Sequence, residues 1–106
     1  MGLFSFLGLG NNKIKEALRQ GAIVIDVRTA SEFDRGKARD SINIPVDRIA
    51  INAPRIKEMK RPVIFVCSSG NRSGNAVRIM KSFGLKDVHN GGSWENVAKL
   101  ILQIER

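Results

Sequence analysis

The single cysteine of the chain, Cys67, has the local sequence of a nucleophile mounted between a strand and a helix. It follows the apolar run Pro62–Val66 and opens a short polar loop, Cys67–Ser73. A helical pattern, Asn75–Phe83, comes next and is closed by Gly84. A helix N-terminus presents unpaired backbone N–H groups and partial positive charge, and loop N–H groups can form an anion-binding nest. Both features lower the pKa of a thiol, whose thiolate is the reactive form, and the same donors would hold an anionic substrate beside it.

The cysteine count narrows the possible chemistry. One cysteine excludes a disulfide within the chain and a metal site built from several thiolates. It also leaves no second thiol to resolve a sulfur-loaded or oxidised intermediate, so an external thiol must complete any such reaction. We predict no metal ion and no cofactor. A lone cysteine is typical of a reducing compartment, and we predict a cytoplasmic protein.

The composition indicates one globular domain with a basic surface. The chain has 106 residues, of which 42% are apolar and 26% charged, and a net charge of +8. Residues 67–86 contain no carboxylate and four cations, Arg72, Arg78, Lys81 and Lys86. This stretch is either a solvated helix face or a positive funnel that steers anions to Cys67. With 6% aromatic residues and no nucleic-acid motif, a small anion is the favoured partner, and we expect no nucleic acid.

The first twelve residues differ from the rest because they carry no charge. Their apolar stretch, Met1–Gly10, is too short to span a bilayer and lacks the basic region and cleavage site of a signal peptide. We expect this segment to pack on the core; a tail that binds a membrane surface or a partner is the alternative. The predicted organisation is therefore an apolar N-terminal segment, 1–12, and one domain, 13–106, with no membrane span.

Apolar runs alternate with helical patterns along the domain. Asn11 or Asn12 can cap a first helix, Lys13–Gln20, and Thr29-Ala30-Ser31-Glu32 is a capping box that opens a short helix ended by Gly36. Further helices are predicted over Val46–Ala53 and Pro54–Lys60, and from about Ser93 with Trp94, Val97, Ala98, Ile101 and Leu102 facing inward. Strands are predicted at Ala22–Val27, Ser41–Ile44, Val63–Val66 and Asp87–His89, the last before a turn at Asn90–Gly92.

This alternation predicts an α/β fold with a mainly parallel central sheet and helices on both faces. Ligands of such folds bind at the carboxyl ends of the strands. Cys67 stands at one of these ends, in agreement with the reasoning from its loop.

Four short motifs resemble those of the single-domain rhodanese-like sulfurtransferases, and the resemblance covers residues 13–104. Each motif is weak alone, but the four occur in the family's order and spacing. They are Asp26-Val27-Arg28 with Glu32-Phe33 and Gly36, Ile42-Asn43-Ile44-Pro45, the loop Cys67–Ser73, and Gly91-Gly92 with Trp94.

The resemblance implies a single rhodanese-like domain and an enzyme that forms a persulfide on Cys67. The thiolate takes the outer sulfur of an anionic donor such as thiosulfate, and sulfite leaves. A thiophilic acceptor (cyanide, a thiol or a sulfur-accepting protein) then removes the sulfur. Loop N–H groups would stabilise the thiolate and then the persulfide. The implied substrate-binding residues are Ser68, Ser69, Gly70, Asn71, Arg72 and Ser73.

Loop length separates this interpretation from a phosphatase or a small-oxyanion reductase. Four residues lie between Cys67 and Arg72, whereas cysteine phosphatases have five. Two further alternatives remain, a persulfide carrier loaded by a protein partner and a non-catalytic binding domain. The chain departs from the family at Ser68, where many active members have Arg or Lys, at Lys37-Ala38, where they have His-Ile, and at Leu3–Gly10, which replaces their first strand.

Several other residues allow a structural role beside a functional one. Arg72 either fixes the loop and adds positive potential, or bonds loop carbonyls. Ser73 is either a helix cap or a ligand contact. Gly70 is expected to adopt a special φ. Gly74 is expected to permit close packing rather than to take part in chemistry.

Outside the loop, structural roles predominate. We predict that Asp26, Arg28 and Glu32 form a structural ion network at the strand ends. His89 is expected at the surface or at a strand end rather than as a general base, and Trp94 is expected to pack on the core near the site.

Overall fold

A four-stranded parallel sheet forms the centre of the molecule. The computed structural model describes residues 2–105, with side chains described from residue 10 onward. The strands are β1 (Ile23–Asp26), β2 (Ile42–Asn43), β3 (Val63–Cys67) and β4 (Val88–Ser93), in the order β2-β1-β3-β4. Every residue of β3 is buried, because this strand is hydrogen-bonded on both edges and covered on both faces.

The described residues form five α-helices, four of which pack on the two faces of the sheet. They are α1 (Gly2–Arg19), α2 (Ala30–Arg35), α3 (Ile49–Glu58), α4 (Asn71–Ser82) and α5 (Trp94–Ile104), and a 3-10 turn at Val46–Arg48 precedes α3. Side chains of α3 and α4 pack with Phe65 and Cys67 on one face, and those of α1 and α5 pack with Ile64 and Val66 on the other. The predicted α/β fold, with a parallel sheet between two helical layers, is confirmed.

The capping box at the start of α2 is also confirmed. Thr29 Oγ1 accepts the backbone N–H of Glu32 at 3.2 Å, and the Glu32 carboxylate accepts the backbone N–H of Thr29 at 3.0 Å. Gly36 ends the helix, as its sequence position indicates. This short helix therefore has a fixed direction, which matters because Glu32 reaches the candidate site.

The prediction that the first helix begins at Lys13 is wrong, because α1 begins at Gly2. Asn11 is not a cap; its Oδ1 accepts a hydrogen bond from Asn96 Nδ2 of α5 at 3.1 Å, so the side chain joins two helices. The helix crosses the boundary drawn between residues 12 and 13, and the division into segment and domain stays a prediction. The side chains of residues 1–9 are outside the described part of the chain, so the expected packing of the segment Met1–Gly10 on the core stays a prediction.

The two helices predicted over Val46–Ala53 and Pro54–Lys60 are also wrong. The first three residues form the 3-10 turn, and α3 then runs through Pro54 without a break. Proline removes one intrahelical hydrogen bond, whose acceptor here would be the carbonyl of Ala50. Both Ala50 and Pro54 are exposed, so water can satisfy that carbonyl.

The predicted turn at Asn90–Gly92 lies instead within β4. The register pairs Phe65 with Asn90 and Val66 with Gly92, so Gly91 is one extra residue in a bulge. Only Gly92 has the expected positive φ, at 76°. The strand leads into α5, where Ser93 caps the helix by accepting the N–H of Asn96.

The predicted inward face of α5 is confirmed for Trp94, Val97 and Ile101 but is wrong for Leu102. Leu102 is 54% exposed, whereas Leu100 is buried in the core with Val97.

Among the described residues, no helix is both long and apolar enough to cross a membrane.

We predict that Gly91→Ala destabilises the protein by about 1–3 kcal/mol, because overpacking of a filled core has this cost. A Cβ at Gly91 would lie 2.7 Å from Ile64 Cγ2 and 2.9 Å from Val97 Cγ2. Gly10→Ala is the control, since a Cβ there has nothing within 4 Å and alanine favours the helix. Urea unfolding monitored by circular dichroism measures both; equal stability of G91A and the parent would contradict this packing.

Candidate functional site

Cys67 is the last residue of β3, at the carboxyl end of the central strand. The residue is 1% exposed, and three hydrogen-bonding groups lie around its sulfur. The backbone N–H of Gly70 donates to Sγ at 3.0 Å and that of Ser73 at 3.4 Å, while Ser73 Oγ lies 3.3 Å away. The sulfur is therefore buried within a ring of hydrogen-bonding groups.

The loop that carries these donors is shorter than the sequence suggests. The helix α4 begins at Asn71 rather than at Asn75, so Asn71–Ser73 form its first turn. Gly70 stands at the N-cap position with φ of 105°, a conformation that favours glycine and turns the chain sharply from strand to helix. The first N–H groups of a helix have no partners within it, and here that of Ser73 points at the sulfur.

Ser73 is not a helix cap, because it lies inside α4 and its side chain is fully buried. Its Oγ donates to Asn90 Oδ1 of β4 at 2.7 Å.

The expected special φ of Gly70 is confirmed. At Gly74 a Cβ would approach Asn90 Nδ2 to 3.2 Å, so this glycine leaves room for the asparagine, as its predicted packing role requires.

The pKa of the Cys67 thiol results from opposing effects. Burial raises it, but hydrogen bonds from the Ser73 hydroxyl and from the N–H groups of Ser73, Gly70 and Ser69 outweigh burial and lower it below the ordinary value. Stabilisation of the thiolate thus comes mainly from the first turn of α4 and the tight loop before it.

Arg72 reaches across to α2 rather than to the loop carbonyls. Its Nη1 donates to Glu32 Oε1 at 2.8 Å and its Nη2 to Oε2 at 3.2 Å, a bidentate pair, and Nη2 also donates to Ser68 Oγ at 3.1 Å. These bonds raise the pKa of Arg72, and together with the N–H of Thr29 they lower the pKa of Glu32 to about 2. Arg72 therefore fixes the loop, and its positive charge is largely compensated.

Asp26 and Arg28 form a separate, buried pair. Arg28 Nη2 lies 2.7 Å from Asp26 Oδ2, and the guanidinium also donates to the carbonyls of Glu32 and Gly36. The predicted ion network thus divides into two pairs, because the Glu32 carboxylate binds Arg72 instead. The guanidinium of Arg28 stacks on Trp94, 4.9 Å from the ring centroid.

Sequence reasoning missed the contacts of Asn90, which binds Ser73 in the first turn of α4 and the carbonyl of Gly70 just before that helix. An asparagine before two glycines indicates a turn, and no local signal shows its partners. His89 is the neighbouring residue, but it pairs with Ile64 in the register and lies 2.8 Å from Asp87 Oδ1, away from the sulfur.

The remaining predicted site residues, Ser68, Ser69 and Asn71, are exposed at the outer side of the loop. A cavity of about 800 Å³ lies near the carboxyl ends of β1 and β2, between Thr29, Pro45 and Arg55, but Cys67 does not line it. The candidate site is therefore defined by the donors around Sγ rather than by an enclosing cavity.

The family profile described as Rhodanese-like domain matches residues 11–99, which include every element of this site. The chain belongs to the rhodanese-like family. It is 33% identical over 76 residues to a thiosulfate sulfurtransferase, GlpE, of Pseudomonas syringae, a match that covers 71% of each chain. It is 31% identical over 78 residues to the thiosulfate sulfurtransferase PspE of Escherichia coli, covering 70% of this chain and 72% of the other.

A solved structure of a rhodanese with anions from E. coli has the same fold. The TM-score is 0.65 at 26% identity, and the match covers 72% of this chain and 91% of that one. The sequence resemblance to rhodanese-like sulfurtransferases is thus confirmed at the level of family and fold.

Two departures of this rhodanese-like chain from its family can now be placed. Ser68 is exposed and has no charge of its own, and its Oγ accepts a hydrogen bond from Arg72 Nη2. Ala38 is fully buried, and Lys37 Nζ lies over the ring of Phe33, 4.8 Å from its centroid. The first departure concerns the charge around the sulfur and the second concerns packing.

We predict that Ser73→Ala slows alkylation of Cys67 by iodoacetamide at neutral pH by about tenfold, because it removes a hydrogen bond to the thiolate. The rate of the parent should level off at a pH below that of a free cysteine, since its thiol pKa is lowered. Ser82→Ala, at the other end of α4, removes a hydroxyl that bonds only Ile79 O and should leave the rate unchanged. An unchanged rate in S73A would argue against this donor.

We predict that Glu32→Gln makes the protein less stable than the parent at neutral pH, and that this difference in stability disappears in acid. The pKa of Glu32 is lowered from 4.5 to about 2, so its carboxylate stabilises the folded state above pH 4.5, and this contribution fades as the pH falls to about 2. Thermal unfolding across this pH range measures the difference in melting temperature between parent and variant. Glu58→Gln, which changes an exposed carboxylate of α3, is the control; a gap that does not narrow in acid would contradict the assigned pairing.

Proposed function

We propose that this chain is a sulfurtransferase that moves sulfane sulfur through a persulfide on Cys67. The observation that carries the proposal is the group of hydrogen-bond partners around Sγ, the N–H groups of Gly70 and Ser73 and the Ser73 hydroxyl, in a chain of the rhodanese-like family. These donors favour the thiolate, which attacks sulfur without a general base.

The proposed reaction has two displacements. The Cys67 thiolate attacks the outer sulfur of the donor, a new S–S bond forms, and the donor's own bond to that sulfur breaks with its electron pair leaving on the remainder, which is sulfite for thiosulfate. A thiolate or cyanide then attacks the outer sulfur, and Cys67 leaves as the thiolate. The negative charge moves by one atom in each step, so donors fixed in advance can stabilise it throughout.

The proposed binding groups for substrate are those of the loop and the first turn of α4. The exposed residues Ser68, Ser69 and Asn71 border the sulfur, with Gly70 and Ser73 beneath them. Arg72 contributes by holding the loop, since its guanidinium is already bound by Glu32. The proposed partners are therefore a small anionic sulfur donor and a thiol, cyanide or a sulfur-accepting protein. The need for an external thiol favours a reducing compartment such as the cytoplasm.

One observation favours a second candidate, a carrier that receives sulfur from a persulfide donor rather than from thiosulfate. Ser68 supplies no charge and the charge of Arg72 is compensated, so the loop offers no free cation to the sulfonate end of thiosulfate. A persulfide carries its charge on the sulfur that is transferred, and such a donor needs only the groups that surround Sγ. Thiosulfate is then a poor donor and a persulfide a good one.

We predict that incubation with thiosulfate adds the mass of one sulfur atom to the parent and none to Cys67→Ser, and that cyanide removes it. Intact-mass spectrometry measures this, and Cys67→Ser is a clean control because the chain has no other cysteine. The same measurement with a low-molecular-weight persulfide separates the two candidates. Sulfur uptake from the persulfide alone would select the carrier; failure with both donors would eliminate both candidates and favour a non-catalytic binding domain.

A further inference from the structure

The side chain of Asn90 has a fixed orientation beside the loop. The backbone N–H of Gly92 donates to its Oδ1 at 2.9 Å, and its Nδ2 donates to the carbonyl of Gly70 at 3.1 Å. A backbone N–H can only donate and a carbonyl can only accept, so these two bonds decide which end of the amide is oxygen. The Oδ1 atom therefore faces Ser73.

This orientation determines where the Ser73 proton lies. Ser73 Oγ is 2.7 Å from Asn90 Oδ1, which is an acceptor only, so the hydroxyl donates to Asn90. Ser73 Oγ is also 3.3 Å from Cys67 Sγ, and a hydroxyl has one proton. In this arrangement the proton between Sγ and Oγ must be that of the thiol, and the network describes the protonated form of Cys67.

Ionisation of Cys67 removes that proton and changes the network. The lone pairs of the thiolate would then face those of Ser73 Oγ at 3.3 Å, which is unfavourable unless the hydroxyl rotates. Rotation gives the thiolate a hydrogen bond but takes the Ser73 bond away from Asn90 Oδ1, whose remaining donor within the described residues is the N–H of Gly92. We propose that Asn90 is a positioning residue that holds the Ser73 proton away from the sulfur in the thiol form and releases it to the sulfur when the thiolate forms.

This proposal deepens the proposed function, and its role in turnover rests on it. When sulfur is loaded, the negative charge moves to the outer sulfur and Sγ becomes neutral and divalent. The Ser73 hydroxyl can then return to Asn90, and it turns back to Sγ when the acceptor removes the sulfur. Ser73 keeps its proton throughout, so the switch follows the charge without any net proton transfer.

The charged groups around the sulfur are compensated pairs. Arg72 of α4 is bound by Glu32 of α2, and Asp26 of β1 is bound by Arg28. On β4 the titratable His89 lies opposite Ile64 rather than Cys67. The hydrogen bonds of Ser73 and Asn90 are therefore the adjustable part of the site.

The test is the pH dependence of Cys67 alkylation in four proteins, the parent, N90A, S73A and the double variant. Without Asn90 the Ser73 hydroxyl can donate to the thiolate without giving up another hydrogen bond. We therefore expect the pH midpoint of Cys67 alkylation in N90A to fall by about one pH unit, the equivalent of one hydrogen bond. The midpoint of S73A should rise. Adding N90A to S73A should have no further effect, because Asn90 acts through the Ser73 proton. Asn75→Ala, an exposed position of α4, is the matched control and should not shift.

A rise of the midpoint in N90A would overturn the proposal, since loss of a structural brace would loosen the loop and weaken its donors. An equal shift with and without Ser73 would also overturn it. If thermal unfolding shows that N90A does not fold, N90D replaces it. A carboxylate should hold the Ser73 proton more firmly than the amide does. The N90D substitution should therefore raise the alkylation midpoint more when it is made in the parent than when it is made in S73A. Equal rises in the two backgrounds would count against the switch. Alkylation reports ionisation rather than sulfur uptake, so failure here and failure of the sulfurtransferase function are distinguishable.

Discussion

The structure depends on one constraint, that a thiol buried at the end of a strand can ionise only where hydrogen-bond donors surround it. A buried charge without partners would be strongly destabilising, and a cysteine that is 1% exposed has little access to water. The donors come from the first turn of α4, so the helix must begin within a few residues of the sulfur. Gly70 makes this possible, because its φ of 105° turns the chain directly from β3 into α4. The apolar face of α4 then packs on the sheet and holds the donors in place.

Two elements distant in sequence brace this loop from opposite sides. From α2, Glu32 binds Arg72, and from β4, Asn90 binds Ser73 and Gly70. The strand order explains both, because β1, which leads into α2, and β4 are the two neighbours of β3. The carboxyl ends of parallel strands meet at one edge of the sheet, so each neighbour delivers a side chain to the same place.

Local signals were sufficient to predict the first three strands, the start of β4, the capping box of α2, the special conformation of Gly70 and the position of Cys67. They failed where a distant contact or exposure decides the outcome. Asn11 resembles a cap but binds α5, and Pro54 resembles a helix start but sits on a solvated face. The partners of Arg72 and Ser73 lie 40 and 17 residues away, and the spacing of residues within the loop holds no information about them.

The bulge in β4 has a consequence for how this chain can change in length. Side chains of a strand alternate between its two faces, and the extra residue at Gly91 resets that alternation between Asn90 and Gly92. Deleting one residue here would move Asn90 out of reach of Ser73 or shift every later side chain of β4 to the opposite face. A one-residue insertion or deletion in this strand would therefore disturb the candidate site, whereas the exposed residues Lys60 and Arg61, at the opposite edge of the sheet, lie away from it.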